Sequence, residues 1–149
     1  TAIGAVTRMQ DMGVEPYLLA SSLLGVVAQR LVRTLCPECR NPVAATEGEF
    51  ELLQANSTQL DFSHKPVIYH PVGCKQCNHN GFIGRTGIYE LVELNNEIRQ
   101  MIHENASEIE MEKVVRKTMP SMRDDGIRLV LEGKTSLDEV LRVTREDEH

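Results

Sequence analysis

The spacing of apolar residues near the start of the chain predicts helices. Two apolar runs there recur at intervals of three and four residues, which is the pattern of one helix face. Gly13 and Pro16 separate the runs, and proline suits the first turn of a helix. We therefore expect two helices within residues 1–35, the second over residues 17–35. That second helix is apolar over most of its surface, which predicts burial on several sides.

From residue 95 onward the pattern predicts a series of short helices. Capping boxes, in which a serine precedes a glutamate by three residues, begin at Ser107 and Ser136. Gly133 lies where one of these helices would end. The apolar residues that we expect to face a core are Ile98, Met101, Ile102, Ile109, Met111, Val114, Val115, Ile127, Leu129, Val130, Leu131, Leu137, Val140, Leu141 and Val143.

The middle of the chain predicts shorter elements of both kinds. Residues 46–49 can start a short helix, residues 56–65 form a polar loop, and residues 67–69 form a strand. Residues 82–92 predict a strand, a glycine-rich bend at residues 84–87, and a second strand. The pattern as a whole predicts a helix-rich α+β fold.

Composition narrows the classes of protein that fit. A chain of 149 residues is expected to form one domain, or one domain with a small appendage. It has no Trp and 3 Phe, so the core must be aliphatic. The net charge of -6 argues against nucleic acid as a partner, because phosphate binding requires a basic surface. No run approaches the ~20 apolar residues that span a bilayer, and no signal peptide is visible. We therefore expect a cytoplasmic protein.

The 4 cysteines form two C-x-x-C pairs, Cys36 with Cys39 and Cys74 with Cys77. Two such pairs can complete a tetrahedral shell of four thiolates, which is a closed structural zinc site without a position for substrate. A redox dithiol needs only one pair, and inert thiols or an iron–sulfur cluster are further alternatives. Histidines could also serve as ligands, but four thiolates already fill the shell; those considered are His64, His70, His79 and His103.

Other motifs favour structural interpretations. The chain contains no G-x-x-x-x-G-K-[ST] phosphate-binding loop and no recognisable nucleophile site. Spacing alone favours a tight bend at Arg85, with its guanidinium paired to a carboxylate such as Glu90. Asp124 and Asp125 fit an acidic first helical turn better than a cation site. The arginines considered as interface candidates are Arg8, Arg30, Arg33 and Arg123.

Three sequence runs, together with the cysteine pairs, resemble a known family. They are residues 24–33, the G-x-x-G-R-T-G-I-x-E run at 81–90, and M-R-D-D-G at 122–126. The chain resembles the C-terminal region of the type II secretion ATPases (the GspE family), which belong to the secretion and type IV pilus assembly ATPase superfamily. The resemblance extends from Thr1 to about Glu146.

The resemblance implies the C-terminal part of a RecA-like P-loop ATPase domain. In this interpretation residues 1–35 are the last helices of the ATPase core, and residues 36–80 are the zinc-binding subdomain. Residues 81–94 return to the core, and residues 95–149 are a C-terminal helical bundle. The family's phosphate-binding loop, acidic boxes and His box would lie before Thr1. We therefore expect a fragment of a longer protein that does not hydrolyse ATP alone.

The resemblance also implies partners, cofactors and sites. The parent would be a hexamer that uses ATP and Mg²⁺ to assemble a pseudopilus for type II protein secretion. It would lie in the cytoplasm, on the inner face of the bacterial inner membrane, with the cytoplasmic domain of GspL and the platform protein GspF as partners. The four cysteines would bind zinc. Arg85 would contact the nucleotide, by donating to phosphate or stacking on adenine. The alternative is a stand-alone zinc-ribbon module for protein interaction, without an ATPase role.

Overall fold

The computed structural model describes residues 1–57 and 63–145, and these fall into two compact units. The aliphatic unit comprises Thr1–Ala28 and Glu90–Ser121, and the cysteine unit comprises Gln29–Tyr89 and Met122–His149. The elements in chain order are α1 (Ala2–Asp11), α2 (Pro16–Ser22), β1 (Gly25–Leu35), β2 (Asn41–Ala44), α3 (Glu47–Asn56), β3 (Val67–His70), a 3₁₀ turn (Lys75–Cys77), β4 (Phe82–Glu93), α4 (Asn96–His103), α5 (Glu108–Arg116), α6 (Met122–Leu131) and α7 (Leu137–Thr144).

The N-terminal region contains one correct and one incorrect helix prediction. Helix α1 forms as expected, with the Thr1 hydroxyl accepting from the Gly4 N–H at 2.9 Å. Helix α2 begins at Pro16 as expected but ends at Ser22. The helix predicted over residues 17–35 is therefore wrong, because the chain continues as the 11-residue strand β1. Its valines are β-branched and favour a strand, and burial alternates along most of its length, as a strand's period of two requires.

Strand β4 corrects a second expectation. It runs as one strand of 12 residues rather than as two strands separated by a bend at residues 84–87, although Gly84 within it has a φ of +75°. It is hydrogen-bonded to β1 in a two-stranded sheet, and its residues Ile88, Glu90 and Val92 alternate into the interior. Hydrogen bonding to β1 keeps the segment in one strand through its glycines. This pairing is a long-range contact, so the local sequence does not predict it.

The aliphatic unit has a continuous apolar core. Its buried members are Ala2, Ile3, Val6, Leu19, Val92, Leu94, Ile98, Ile102, Met111 and Val115. Ile109, which the pattern placed in this core, is 70% exposed. It lies two residues before Met111 on α5, about 200° around the helix, so the two side chains face opposite ways.

A buried carboxylate connects three elements of the aliphatic unit. Glu90 on β4 is 3% exposed, and its Oε1 accepts from the Ala2 N–H at the start of α1 at 2.8 Å. Its other oxygen forms an ion pair with Arg116 of α5, which also pairs with Glu112. Both oxygens are thus satisfied, as burial of a charge requires.

The cysteine unit begins with a hairpin and a capped helix. Strand β3 forms as predicted and pairs antiparallel with β2, from Asn41 opposite His70 to Ala44 opposite Val67. The short β2 was not predicted. Helix α3 has the expected capping box. The Thr46 hydroxyl accepts from the Glu49 N–H at 3.2 Å, and the Glu49 carboxylate accepts from the Thr46 N–H at 3.0 Å. Part of the polar loop predicted at residues 56–65 lies outside the described residues.

Helices α6 and α7 complete the cysteine unit. The acidic pair Asp124 and Asp125 lies in the first turn of α6, as predicted. Ser136 caps α7 by accepting from the Glu139 N–H at 3.2 Å, but the Glu139 carboxylate faces Arg33 rather than the cap. The four-part division implied by the family resemblance stays a prediction. Within the described ranges, no helix is both long and apolar enough to cross a bilayer.

Candidate metal centre

The first cysteine turn follows β1 directly. The Cys36 N–H donates to the carbonyl of Gly81 at 2.9 Å, and the Arg40 N–H closes the turn on the Cys36 carbonyl at 3.0 Å. The first turn is therefore anchored to the backbone just past the second cysteine pair.

The second cysteine turn is a 3₁₀ turn, in which the Cys77 N–H donates to the Cys74 carbonyl at 3.3 Å. The His79 N–H donates to the same carbonyl at 2.8 Å. The chain then leaves through Gly81, whose φ is +86°. A Cβ at Gly81 would lie 2.6 Å from the Cβ of Pro71, so only glycine fits this close approach. The tight fold predicted at Gly81 is confirmed.

The four sulfurs form one cluster with the dimensions of a mononuclear metal site. The Sγ–Sγ distance is 3.8 Å for Cys36–Cys74, for Cys39–Cys77 and for Cys74–Cys77. All four sulfurs lie within 4.8 Å of one another. A tetrahedron with Zn–S bonds of about 2.3 Å has edges of about 3.8 Å, so the donor set fits one zinc ion. The cysteines are free, since a disulfide would require a sulfur separation of about 2.05 Å.

This arrangement weighs against the other cysteine chemistries. A redox dithiol needs two sulfurs, whereas each pair here contributes to one shared cluster. An iron–sulfur cluster would place several iron and sulfide atoms between the thiolates. Sulfur separations of 3.8 Å fit the coordination of a single ion instead.

Backbone N–H groups support negative charge on two of the sulfurs, those of Cys39 and Cys77. The Gly73 N–H donates to Cys39 Sγ at 3.3 Å, and the Cys74 and Gly81 N–H groups both donate to Cys77 Sγ at 3.2 Å. Desolvation raises the pKa of the Cys77 thiol, but the Cys74 and Gly81 N–H groups outweigh it and lower that pKa to about 6. The pKa of the Cys74 thiol is raised instead, mainly because the thiol is desolvated. Such N–H···S bonds are the outer partners that orient thiolate ligands around a metal.

The histidines do not join the metal centre. In the described part of the chain, the four cysteines are the one group of Cys, His, Asp and Glu side chains with ligand atoms close enough to share an ion. His70 Nε2 lies 2.7 Å from a carboxylate oxygen of Glu49, His64 lies beside Ser63, and His103 stacks edge-on against Tyr17.

Arg85 is exposed on β4. The pairing with Glu90 that spacing suggested is wrong, because the Glu90 oxygens are taken by Ala2 and Arg116. Within residues 1–57 and 63–145, no carboxylate forms an ion pair with Arg85. Its flanking residue Gly84 leaves open space where a side chain would be.

Two of the arginines considered as interface candidates are engaged within the cysteine unit. Arg33 stacks on the Phe82 ring at 4.2 Å and pairs with Glu139 at 2.9 Å. Arg123 donates to Thr144 at 2.7 Å and to Asn56 at 2.8 Å. These contacts explain both residues without an external partner.

Two important residues near the site were missed in the sequence. Arg40 lies directly after Cys39, and its guanidinium stacks on the Tyr69 ring at 4.5 Å. Glu139 is 2% exposed and receives hydrogen bonds from Arg33 and Arg142. Arg40 stands in no distinctive motif, and the sequence assigned Glu139 only to the capping box of Ser136. Tyr69 and Arg33, the partners that define their roles, are distant in sequence, so no local signal identifies those roles.

Sequence similarity shows the family to which the chain belongs. The model of the Type II/IV secretion system protein family matches residues 1–142, and the chain belongs to that family.

Its relatives are type II secretion system E proteins, which confirms the resemblance seen in the sequence. The chain is 54% identical to type II secretion system protein E of Aeromonas hydrophila over 147 residues, and 52% identical to that of Pseudomonas aeruginosa over 147 residues. It is 50% identical to type II secretion system ATPase E of Vibrio cholerae over 146 residues. These alignments cover 98–99% of this chain but 28% of each relative, so the chain spans little more than a quarter of their length.

Proposed function

We propose that this chain is the C-terminal region of a hexameric ATPase that powers type II protein secretion. The observation that carries the proposal is the high identity to type II secretion system E proteins over nearly the whole chain, one of them named an ATPase. In this proposal the parent uses ATP and Mg²⁺ for pseudopilus assembly. It works in the cytoplasm at the inner face of the inner membrane, with the cytoplasmic domain of GspL and with GspF.

The four cysteines would hold zinc as a structural element of this protein. The 3.8 Å sulfur separations and the N–H groups that face Cys39 and Cys77 support this assignment. Zinc would supply folding free energy at this site, since four thiolates leave no open position for a reacting group.

Arg85 would contribute a contact to the nucleotide. Its exposure supports the role, and the open space beside Gly84 would let a ligand approach the backbone. A guanidinium can donate to a phosphate through two N–H groups or stack on a base. Hydrolysis also requires a phosphate cradle and Mg²⁺, which the remainder of the parent would provide.

The proposal is tested in the full-length parent and in this chain. Arg85→Ala in the parent should raise the KM for ATP or lower kcat, while Arg85→Lys should retain part of the activity. Wild-type kinetics in Arg85→Ala would remove the nucleotide role. The 149-residue chain alone should show no ATP hydrolysis, and ATP turnover that copurifies with it through successive columns would contradict the assignment as a fragment.

Zinc is tested independently of ATP. The purified chain should carry one zinc ion, and its thiols should react with a disulfide reagent only after a chelator is added. Free reaction of all four thiols in the untreated protein, together with no bound metal, would overturn the zinc assignment.

A further inference from the structure

Arg40 joins the first cysteine turn to a helix end in the same unit. Its backbone N–H bonds to the Cys36 carbonyl at 3.0 Å, so its position depends on the turn that carries Cys36 and Cys39. Its guanidinium stacks on Tyr69 of β3 and donates to the carbonyl of Gly133, just past the end of α6. In the described residues no carboxylate forms an ion pair with Arg40, so a ring face and a carbonyl are its partners.

Gly133, whose carbonyl accepts this hydrogen bond, lies where a side chain would not fit. Gly133 is buried with a φ of +77°, in the left-handed region that favours glycine. A Cβ there would lie 2.7 Å from Arg40 Nη1 and 2.8 Å from Tyr69 Cε2. The guanidinium and the ring therefore occupy the space that a side chain at position 133 would need.

Neighbouring residues hold the same connection between α6 and α7. The Leu35 N–H, directly before Cys36, donates to the Lys134 carbonyl at 2.9 Å. The Thr135 hydroxyl donates to the Arg33 carbonyl at 2.8 Å. Residues 133–135 of the connection are thus each hydrogen-bonded to residues 33–40, the segment around the first cysteine turn.

We propose that metal occupancy of the four-cysteine site orders the connection between α6 and α7, with Arg40 as the positioning residue that transmits it. The inference rests on the zinc of the proposed function. A bound metal fixes the turn that positions Arg40, and a planar guanidinium can stack and donate at the same time, which a lysine ammonium cannot do equally well. Because coupling is reciprocal, loss of this contact should also weaken metal binding.

Hydrogen–deuterium exchange of the α6 end measures this coupling. The amides of Glu132, Gly133 and Lys134 donate to carbonyls of α6 at 3.0–3.1 Å and report on its last turn. In the wild-type chain, removal of zinc by a chelator should accelerate their exchange. Arg40→Met, loaded with zinc, should show about a tenfold acceleration at the same amides, which corresponds to about 1.4 kcal/mol. Chelation should then accelerate them further by a smaller factor than in the wild type.

The matched control is Lys75→Met, which removes an exposed positive charge from the other cysteine turn. Its exchange at the α6 end should equal that of the wild type. Co²⁺ substitution, read by its thiolate charge-transfer absorption, verifies that each variant retains all four ligands. Arg40→Lys is the milder variant should Arg40→Met not fold, and it should accelerate the same amides by a smaller factor.

The outcomes separate the two proposals. Wild-type protection in zinc-loaded Arg40→Met, or in Arg40→Lys if only that variant folds, would overturn the role of Arg40 and leave the zinc site intact. A wild-type chain that binds neither zinc nor Co²⁺ would overturn the zinc assignment. Equal acceleration in Lys75→Met and Arg40→Met would also overturn the inference, because charge alone would then explain the effect.

Discussion

The aliphatic unit and the cysteine unit reach a stable interior in different ways. The core of the aliphatic unit consists of ten buried hydrophobic side chains from helices α1, α2, α4 and α5 and from the segment around Val92. One buried ion pair, Glu90 with Arg116, adds to this apolar core. The cysteine unit also buries aliphatic residues, but more of its segments are joined by directional contacts, namely the cysteine cluster, Arg33 with Glu139, and Arg40 with Gly133. Burial of apolar surface tolerates many arrangements, whereas ligation and ion pairing require particular ones.

This difference has a consequence for how each unit fails. Where segments meet at a shared metal site, metal binding contributes directly to the free energy of folding. We therefore expect the cysteine unit to respond strongly to chelators and to pH, and the aliphatic unit to respond mainly to loss of packed volume.

The largest expected effect is loss of the metal. Cys36→Ser removes one of the four ligands, and structural metal affinity contributes directly to folding free energy. Hydrogen exchange should show the cysteine unit losing protection throughout, while peptides from α1, α4 and α5 keep theirs. Equal loss of protection in both units would show that the aliphatic unit also depends on the metal.

The control for this prediction is the chelated wild-type chain. It should give the same exchange pattern as Cys36→Ser, and added zinc should restore the wild type but not the variant. A variant with an unchanged melting temperature would contradict a structural role for the site.

A cavity in the aliphatic unit should give the next largest effect. Ile102 is fully buried on α4, and Ile102→Ala should cost about 2–5 kcal/mol because it removes packed methyl groups. Ile109→Ala is the matched control, since this side chain is 70% exposed and should change stability by less than about 0.5 kcal/mol. Denaturant unfolding measures both. The Ile102→Ala cost should be the same with and without chelator, and a cost that appears only with zinc bound would contradict the comparison.

The buried ion pair of the cysteine unit should give a smaller, pH-dependent effect. Desolvation raises the pKa of Glu139, but the hydrogen bonds from Arg33 outweigh it, and the pKa falls from 4.5 to about 2. The carboxylate therefore adds stability above pH 4.5, and this stability declines as the pH falls toward 2. Glu139→Gln should cost about 2–3 kcal/mol at pH 7. Its difference from the wild type should shrink as the pH falls from 4.5 toward 3.

The neighbouring residue Asp138 gives a control for Glu139. It is an exposed acid in the same first turn of α7, and Asp138→Asn should change stability little at any pH. Urea unfolding at a series of pH values measures both variants. A Glu139→Gln cost that does not decrease below pH 4.5 would show that the carboxylate acts through shape rather than charge.

The two units also differ in how much of them the sequence predicts. In the aliphatic unit, helical periodicity and caps predict α1, α4 and α5, because each of these helices has a buried face that repeats locally. Strand β1 was mistaken for a helix, since an apolar run fits either element until its pairing with β4 is known. Ile109 was misplaced because periodicity alone did not fix the boundaries of the buried face.

In the cysteine unit, the spacing of the two C-x-x-C pairs predicts that the four thiols meet at one site, and the structure brings the four sulfurs together. The contacts around the centre were not predictable. Arg40 and Gly133 are 93 positions apart, and Arg33 and Glu139 are 106 apart. A side-chain contact over such a separation depends on the completed fold, and neither arginine differs locally from a solvated surface residue.

The smallest expected effect is the loss of a helix cap, which can be compared between equivalent caps in the two units. Ser107 in the aliphatic unit and Thr46 in the cysteine unit each form a full capping box, with cap distances of 3.2 Å to the N–H groups of Glu110 and Glu49. Ser107→Ala and Thr46→Ala should each cost about 1 kcal/mol in the zinc-loaded chain. Exchange of the Glu110 and Glu49 amides measures the local effect.

After chelation the two caps should differ in their contribution to stability, because a cap stabilises only a helix that is formed. After zinc removal, Ser107→Ala should still cost about 1 kcal/mol, since α5 belongs to the aliphatic unit. Thr46→Ala should then cost almost nothing, because α3 belongs to the unit that has lost its fold and its Glu49 amide already exchanges freely. Ser107→Thr retains a hydroxyl and should behave nearly as the wild type under both conditions. If Thr46→Ala keeps its full cost in the chelated chain, then α3 is stable without metal and the dependence on zinc is confined to the cysteine turns.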